Sequence, residues 1–526
     1  MTSHRRVPDT VPMQLTLDPR GGPLHQQIYQ ALRAAILRGT FRPGERLPSS
    51  RELARDLGIS RTTALGAYAR LHSEGYVVGN AGAGTRVAES IAGTNGSRIP
   101  SLAEGIGITG RGHAAHRRPE RNVSSAPAGV LREPRLSSSV RALFDEGKWR
   151  AVPRQAVPFA SGIPSLELFP VASWTRLAAR RWRLSGRDLL LPGDSQGYAP
   201  LREAVAKYAV TARGVRCTAE QVVIVNGAQH GIDLCARVLV GPGDDVWLEW
   251  PGYTPARGMF AATGARIVDV PVDAQGLDVV AGRALAPAAR LAFVTPSYQA
   301  PLGTTMSLQR RYALLEWARD ADAWILEDDY NGEYRYDTKS VPALQGLDQH
   351  HRVLYLGTFS KTLSPAIRLG YLIVPPALVS TFTRARLLLD RNSGVAEQAV
   401  LADFIDGGHF ARHIRRTRAL YRDRHRIFLE LAAQELEGLV TFDDVPAGLR
   451  LLGWLPSNLN DQEVVAEAAR RGVVLESLSY RSAEGTLPPA LSFGFAPYTA
   501  AQTRAGMRTL AEVIRRARDA APRRDV

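Results

Sequence analysis

The chain has two cysteines in 526 residues, Cys217 and Cys235, and neither has histidine partners at metal-ligand spacing. That scarcity argues against a disulfide framework and against a structural zinc site; the two thiols read as small core or surface residues. Long apolar runs are also missing. None approaches the ~20 residues needed to cross a bilayer, and the N-terminus, MTSHRRVPDT, lacks the apolar core of a secretory signal. A cytoplasmic chain with no membrane segment is expected. Acidic residues are in deficit, 51 against 66 lysines and arginines, for a formal charge of +15. Such an excess favours a polyanionic partner, but many arginine-rich chains are merely basic, so the charge needs a motif to give it direction. The bulk is ordinary: 45% hydrophobic and 22% charged residues, with length for two or three domains around a large core.

Near the N-terminus, Leu24, Ile28, Leu32 and Ile36 recur at helical spacing and predict one apolar face, ended by Gly39. After the turn Arg42-Pro43-Gly44, Ser49 and Glu52 form a capping box for a second helix holding Leu53 and Leu57. Gly58 makes the next turn, and Ser60 caps a third helix whose inner face is Ala64, Tyr68 and Leu71. Two short helices joined through glycine make a helix-turn-helix pattern. Its second helix opens Ser60-Arg61-Thr62-Thr63, a guanidinium and hydroxyls where a recognition helix reaches base edges and phosphates. Tyr76–Val78 and Thr85–Val87 read as two strands around Gly82-Ala83-Gly84, a small wing. A helical bundle without a ligand is the plainer alternative.

From 89 to 153 the chain is rich in Gly, Ser, Pro and Arg with no sustained period, as in GTNGSRIP and SSAPAG. This composition buries too little apolar surface to offset its ordering entropy. It reads as a tether, with a short helix near Val140–Leu143; the histidines at 113 and 116 make no metal site.

Beyond Pro158 strands alternate with helices, the pattern of an α/β sheet with covering layers. The segment VLYLGTFSKTLSPAIRLGY, residues 353–371, organises it. An apolar strand breaks at Gly357 and presents Thr358, Ser360 and Lys361; Arg368 and a second strand, Leu369–Val374, follow. A lone loop lysine is usually a surface residue. Hydroxyls and an arginine around it suit a phosphate dianion, and an amine beside a phosphate seat suggests a Schiff base with pyridoxal phosphate. The strand Trp324–Leu326 leads into Glu327-Asp328-Asp329-Tyr330. Three adjacent acids are costly to bury unless something positive meets them. A pyridinium N–H does so, which gives Asp328 to the ring nitrogen and Tyr330 to the phenolic oxygen; a Mg²⁺ site is the runner-up.

The stretch LPSSRELARDLGISRTTALGAYARLHSEGYV resembles GntR-type winged helices, and residues 353–371 resemble the Schiff-base segment of fold-type I aminotransferases. Together they resemble the MocR-type (PdxR-like) subfamily of GntR regulators. The resemblance implies an α/β protein with a winged helix-turn-helix at 14–88, a flexible linker at 89–153 and aminotransferase-like large and small domains at 154–518. It implies DNA contacts from Arg51, Arg61, Thr62 and Gly84. In the large domain it implies cofactor phosphate held by the amides of Ala228 and Gln229 with Thr358, Ser360 and Arg368. Tyr253 would stack on the ring, with a core tyrosine as the other reading, and Lys361 would carry the cofactor. A homodimer on an operator, associated with the nucleoid, follows from the same likeness.

Three positions depart from aminotransferases. Ala300, in TPSYQAPLG, stands where an asparagine usually bonds the ring oxygen. Ser492, in Leu491–Phe495, stands where an arginine clamps the substrate carboxylate, and serine cannot replace a bidentate guanidinium. Pro192 replaces a tyrosine that reaches the neighbouring subunit's phosphate. Arg450 is the candidate for an alternative carboxylate contact. The resulting expectation is a regulator that senses pyridoxal phosphate, or an amine or amino acid, through Lys361, with the missing clamp favouring the cofactor itself as signal. An active aminotransferase that also binds DNA, and a basic scaffold stabilised by cofactor, are the alternatives.

Overall fold

The chain divides into two units, Met1–Ala128 and Gly129–Val526. The structure, a computed structural model, describes residues 17–18, 22–79, 84–89, 135–146, 157–336, 342–481 and 487–520. In the first unit α1 (Leu24–Leu37) buries Ile28, Leu32 and Ile36, with Tyr29 and Ala35 widening the same face. The capping box forms: Ser49 accepts from the Glu52 amide while the Glu52 carboxylate accepts from the Ser49 amide, starting α2 (Ser50–Leu57). Gly58 ends it at φ +64, a left-handed conformation that costs glycine little. Ser60 accepts from the Thr63 amide and starts α3 (Arg61–Ser73), which buries Ala64, Ala67, Tyr68 and Leu71. Leu57 is only half-buried; Ala54 packs beside Leu53 instead. β1 (Val77–Val78) and β2 (Arg86–Val87) pair antiparallel. Gly82 and Ala83, read as the wing turn, lie outside the described residues, as do the histidines at 113 and 116.

The second unit starts with α4 (Ser138–Glu146), α5 (Val171–Ser185) and α6 (Ala199–Arg213). Strands and helices then alternate: β3 (Val222–Val225), α7 (Ala228–Leu239), β4 (Asp245–Trp250), α8 (Thr254–Ala261), β5 (Arg266–Asp273), β6 (Gly276–Leu277), α9 (Val279–Leu285), β7 (Leu291–Val294), α10 (Leu308–Asp320), β8 (Trp324–Asp328), β9 (Val353–Thr358) and β10 (Gly370–Ile373). These strands make one sheet in the order β3-β10-β9-β8-β7-β4-β5-β6. β9, β8, β7, β4 and β5 run parallel, while β10 runs antiparallel to both β9 and β3. Every residue of β3, β7, β9 and β10 is buried, because helices cover both faces. The carboxyl ends of β3, β4, β8 and β9 share one edge, where open α/β sheets place ligands.

After α11 (Val379–Leu389), α12 (Val395–Asp406) and α13 (His409–Glu435) come β11 (Thr441–Phe442), β12 (Arg450–Trp454), α14 (Asp461–Arg470), β13 (Glu476–Ser477), β14 (Ala490–Gly494) and α15 (Ala500–Ala520). Their strands form a second, antiparallel sheet ordered β11-β12-β14-β13.

Two local expectations change. Gly357 does not break its strand. It pairs with Tyr371, whose ring lies 2.3 Å from where a Cβ at 357 would stand, so glycine keeps β9 continuous under that ring. Within 89–153, the expected helix spans Ser138–Glu146 rather than Val140–Leu143, and Glu146 pairs with Arg257 of α8, which also pairs with Asp269 of β5. Burial of α4 is slight, so these ion pairs on α8, rather than a core of its own, hold the helix.

The Ser49→Ala variant should destabilise the first unit by about 1 kcal/mol. Hydrogen exchange of the protected amides of α1 and α3 would then quicken roughly fivefold, with amides of β9 and β10 unchanged.

Candidate functional site

The carboxyl edge of the large sheet opens into a cavity of about 370 Å³ lined by Ala228, Gln229, Tyr253, Asp328, Tyr330, Thr358, Ser360, Lys361 and Arg368. These are all of the cofactor candidates read from the sequence, drawn together from four strand ends.

One end of the cavity is built for an anion. Gly227 (φ +84) precedes α7 without a side-chain cap, so the first amides of that helix face outward unpaired by it. A guanidinium nitrogen of Arg368 lies 3.7 Å from where a Cβ at Gly227 would sit. Arg368 itself adopts φ +55 after a short 3-10 turn, which turns its side chain back toward α7. Thr358 Oγ1 accepts from the Ser360 amide at 3.2 Å and shapes the turn that follows β9. Amides, hydroxyls and one arginine converge here, the donor set for a phosphate.

The middle holds the three acids, which leave β8 in different directions. Glu327 accepts from the amides of Leu344 and Gln345, each at 2.8 Å. Asp329 accepts from Arg213 Nε at 2.7 Å and from the Tyr355 hydroxyl at 2.7 Å. Burial works to raise Asp329, but the Arg213 guanidinium and these hydrogen bonds hold it below the usual carboxylate range. Asp328 faces the cavity, and its Oδ1 is buried with no partner among the described residues; so is Oδ1 of Asn331 on the same wall. Burial, then the charge of Asp329, pushes the Asp328 carboxyl up to about 7 against the pull of Lys361. Because the three side chains diverge, the magnesium alternative has no nest of ligands. Among the described residues no group of three or more His, Cys, Asp or Glu side chains could hold a metal.

Lys361 is half-buried across from this carboxyl and donates from Nζ to the carbonyl of Gly162 at 2.7 Å. Burial, then the charge of Arg450, pushes its amine down to about 8, with Glu476 and Asp328 opposing. Arg450 and Glu476 also line the cavity, at the end supplied by the small sheet. Arg450 donates to the Tyr330 hydroxyl at 3.2 Å. Tyr253 lines the cavity and packs on the apolar layer beneath. Gly162 and Glu476 were not legible in the sequence, since neither sits in a motif and both arrive from distant segments. Of the departures, Ala300 lines the cavity, Ser492 is buried off its wall with its hydroxyl 3.1 Å from that of Ser161, and Pro192 is exposed elsewhere.

Pyridoxal phosphate fits this donor set. The anion seat, the unmatched Asp328 oxygen and the depressed amine of Lys361 lie in one cavity, each suited to a different part of that molecule.

In the first unit Arg51, Arg61 and Thr62 are exposed, the last two in the opening turn of α3. Gly84 adopts φ +82, and the Arg46 guanidinium lies 2.6 Å from where its Cβ would be. Arg46 also bridges to Arg86 of β2, so a basic edge runs along the ribbon. Nothing local in the sequence marks Arg46, because its place beside the ribbon is a tertiary contact.

Two family models match the chain: aminotransferase class I and II over residues 154–469, and bacterial regulatory proteins of the gntR family over residues 24–87. The chain is similar to the probable rhizopine catabolism regulatory protein MocR of Rhizobium meliloti, 38% identical over 87% of each chain. It is 29% identical to the HTH-type pyridoxine biosynthesis transcriptional regulator PdxR of Corynebacterium glutamicum, over 89% of this chain and 91% of the relative. Among solved structures it resembles Pyrococcus horikoshii kynurenine aminotransferase, with a TM-score of 0.64 and 27% identity over 73% of this chain and 95% of that one.

The low Lys361 pKa should show in its chemistry. Its modification by a limiting amine-directed reagent, followed by peptide mapping, should speed up about tenfold per pH unit and level off above about 8. An ordinary lysine would keep accelerating toward ~10.4, and that result would remove the electrostatic argument.

Proposed function

The chain belongs to the MocR-type transcriptional regulators of the GntR family, which join a helix-turn-helix to an aminotransferase-like domain, and from that premise we propose that its second unit senses an amine through pyridoxal phosphate bound at Lys361. The single observation that carries this reading is the buried Asp328 oxygen, unmatched among the described residues, in the same cavity as a lysine whose pKa is lowered. When bound, pyridoxal phosphate supplies an aldehyde that condenses with amines and a ring that withdraws electrons.

The chain's own residues divide the work. Lys361 is the nucleophile, and its lowered pKa leaves an appreciable share of free amine near neutrality. Asp328 holds a proton at the ring nitrogen. Tyr330, itself held by Arg450, bonds the phenolic oxygen, and Tyr253 covers the ring face. Ala228, Gln229, Thr358, Ser360 and Arg368 seat the phosphate. Arg51, Arg61, Thr62 and Gly84 form the operator surface in this reading, and Arg46 joins them because it lies beside Gly84 and Arg86.

The same reading gives the domains their bounds: the DNA-reading unit at 14–88, the tether at 89–153 and the sensor at 154–518. The protein acts in the cytoplasm as a homodimer. Exposed apolar side chains at the end of α5 and just after it (Trp182, Leu184, Leu190, Leu191) support burial against a second copy. Ligand and DNA are linked reciprocally: whatever factor the ligand applies to operator affinity, the operator applies to ligand affinity.

The Lys361→Ala variant should lose the absorbance of lysine-linked cofactor, so that borohydride no longer fixes the cofactor to the chain, while keeping its helix-turn-helix. The Arg61→Ala variant should keep that absorbance and bind operator DNA roughly 10- to 100-fold more weakly. Cofactor that borohydride still fixes to the chain after the loss of Lys361 would refute the assignment.

A further inference from the structure

The small sheet presents an odd arrangement of charge to the cavity. Arg450 of β12 pairs with Gly494 of β14, and Ser492 of β14 pairs with Leu452 on one side and Glu476 of β13 on the other. Paired residues and their second neighbours share a face of a sheet. Arg450, Ser492 and Glu476 therefore stand on one face, with the two smallest residues on the middle strand.

That smallness has a cause. The chain from Phe159 to Gly162 lies across β14: Phe159 bridges to Gly494, and a Cβ at Gly494 would stand 2.2 Å from the carbonyl oxygen of Ala160. Ser161 meets Ser492 hydroxyl to hydroxyl, and Gly162 holds Lys361. A long cation at 492 would have to push this segment off the sheet and disturb the carbonyl that positions the lysine. The guanidinium comes instead from the neighbouring strand, at 450. It lines the same cavity as Lys361 and gives one hydrogen bond to Tyr330, and its Nε–H is buried with no partner among the described residues. An unpaired, desolvated guanidinium N–H beside a ligand cavity calls for an anion. The phosphate seat is a separate place, around Arg368 and the start of α7.

We propose that Arg450 is the carboxylate clamp of this cavity, supplied one strand away from Ser492, and that it selects amino acids over simple amines as effectors. Its guanidinium binds the carboxylate, which orients the amino group of the same molecule toward the place where Lys361 lies. The missing arginine at 492 then no longer favours the cofactor alone as signal. This inference rests on the assignment of Lys361 above.

The test titrates the full-length, cofactor-loaded protein with matched pairs that differ only by the carboxylate: L-alanine against ethylamine and L-phenylalanine against phenethylamine. Affinity is followed by cofactor absorbance and by calorimetry. Wild type should prefer each acid over its amine by roughly 10- to 100-fold. In Arg450→Gln the ratio should fall to near one, and Arg450→Lys should keep an intermediate ratio. A wild-type ratio near one, or an unchanged ratio in Arg450→Gln, overturns the proposal. Should Arg450→Gln fail to fold, the wild-type ratio and Arg450→Lys decide it. Absent cofactor absorbance in wild type would sink the Lys361 assignment and this inference with it, whereas absorbance without discrimination sinks the role of Arg450 alone.

Discussion

Asp328 sits at the end of a central strand with one carboxyl oxygen buried and unmatched, and burial lifts its pKa to about 7. Leaving a buried acceptor unpaired costs about 1–3 kcal/mol, and more if it is charged. The acids on either side show how this fold treats a carboxylate it uses structurally. Glu327 takes two backbone amides, and Asp329, whose Oδ1 is also buried without a partner among the described residues, takes Arg213 and Tyr355 on its Oδ2 away from the cavity. Asp328 alone is left facing a cavity. A cationic ring nitrogen placed there would remove the penalty and supply a charge-assisted hydrogen bond.

The remaining parts of the cavity follow from that point. Were a ring nitrogen to sit at Asp328, the sheet edge would offer its phosphate a seat at one end, in the first amides of α7, which no side chain caps. At the other end stand Lys361 and Tyr330. The same low-polarity wall that raises Asp328 lowers Lys361, so two oppositely charged groups are both brought toward titration near neutrality. That is the condition in which a small ligand can change the charge of the cavity, the change that the proposed sensing would pass on to DNA affinity.

How much of this could be read in the sequence depends on the range of the interaction. The capping box at Ser49 and Glu52 and the glycine stop at Gly58 are local chemistry, legible within four residues, and the first unit forms them. Asp328, Tyr330, Thr358, Ser360, Lys361 and Arg368 were legible because acids, hydroxyls and cations cluster at strand ends there, whereas Ala228, Gln229 and Tyr253 came from the family resemblance. What could not be read is what distant segments bring. The Gly162 carbonyl that holds Lys361 comes from 199 residues away. Gly357 looked like a strand break because the ring of Tyr371 that demands it lies on the neighbouring strand. Ser492 read as a lost clamp, since the register that sets Arg450 on the same face is a property of the folded sheet.

The central claim is that Asp328 is matched by a protonated pyridine nitrogen, and it is tested most directly by binding pyridoxal phosphate and its 1-deaza analogue, whose ring lacks that nitrogen, to cofactor-free protein. The account expects the analogue to bind roughly 10- to 100-fold more weakly, and Asp328→Asn to erase most of that difference. Equal affinity for the two molecules in the unsubstituted protein would contradict it.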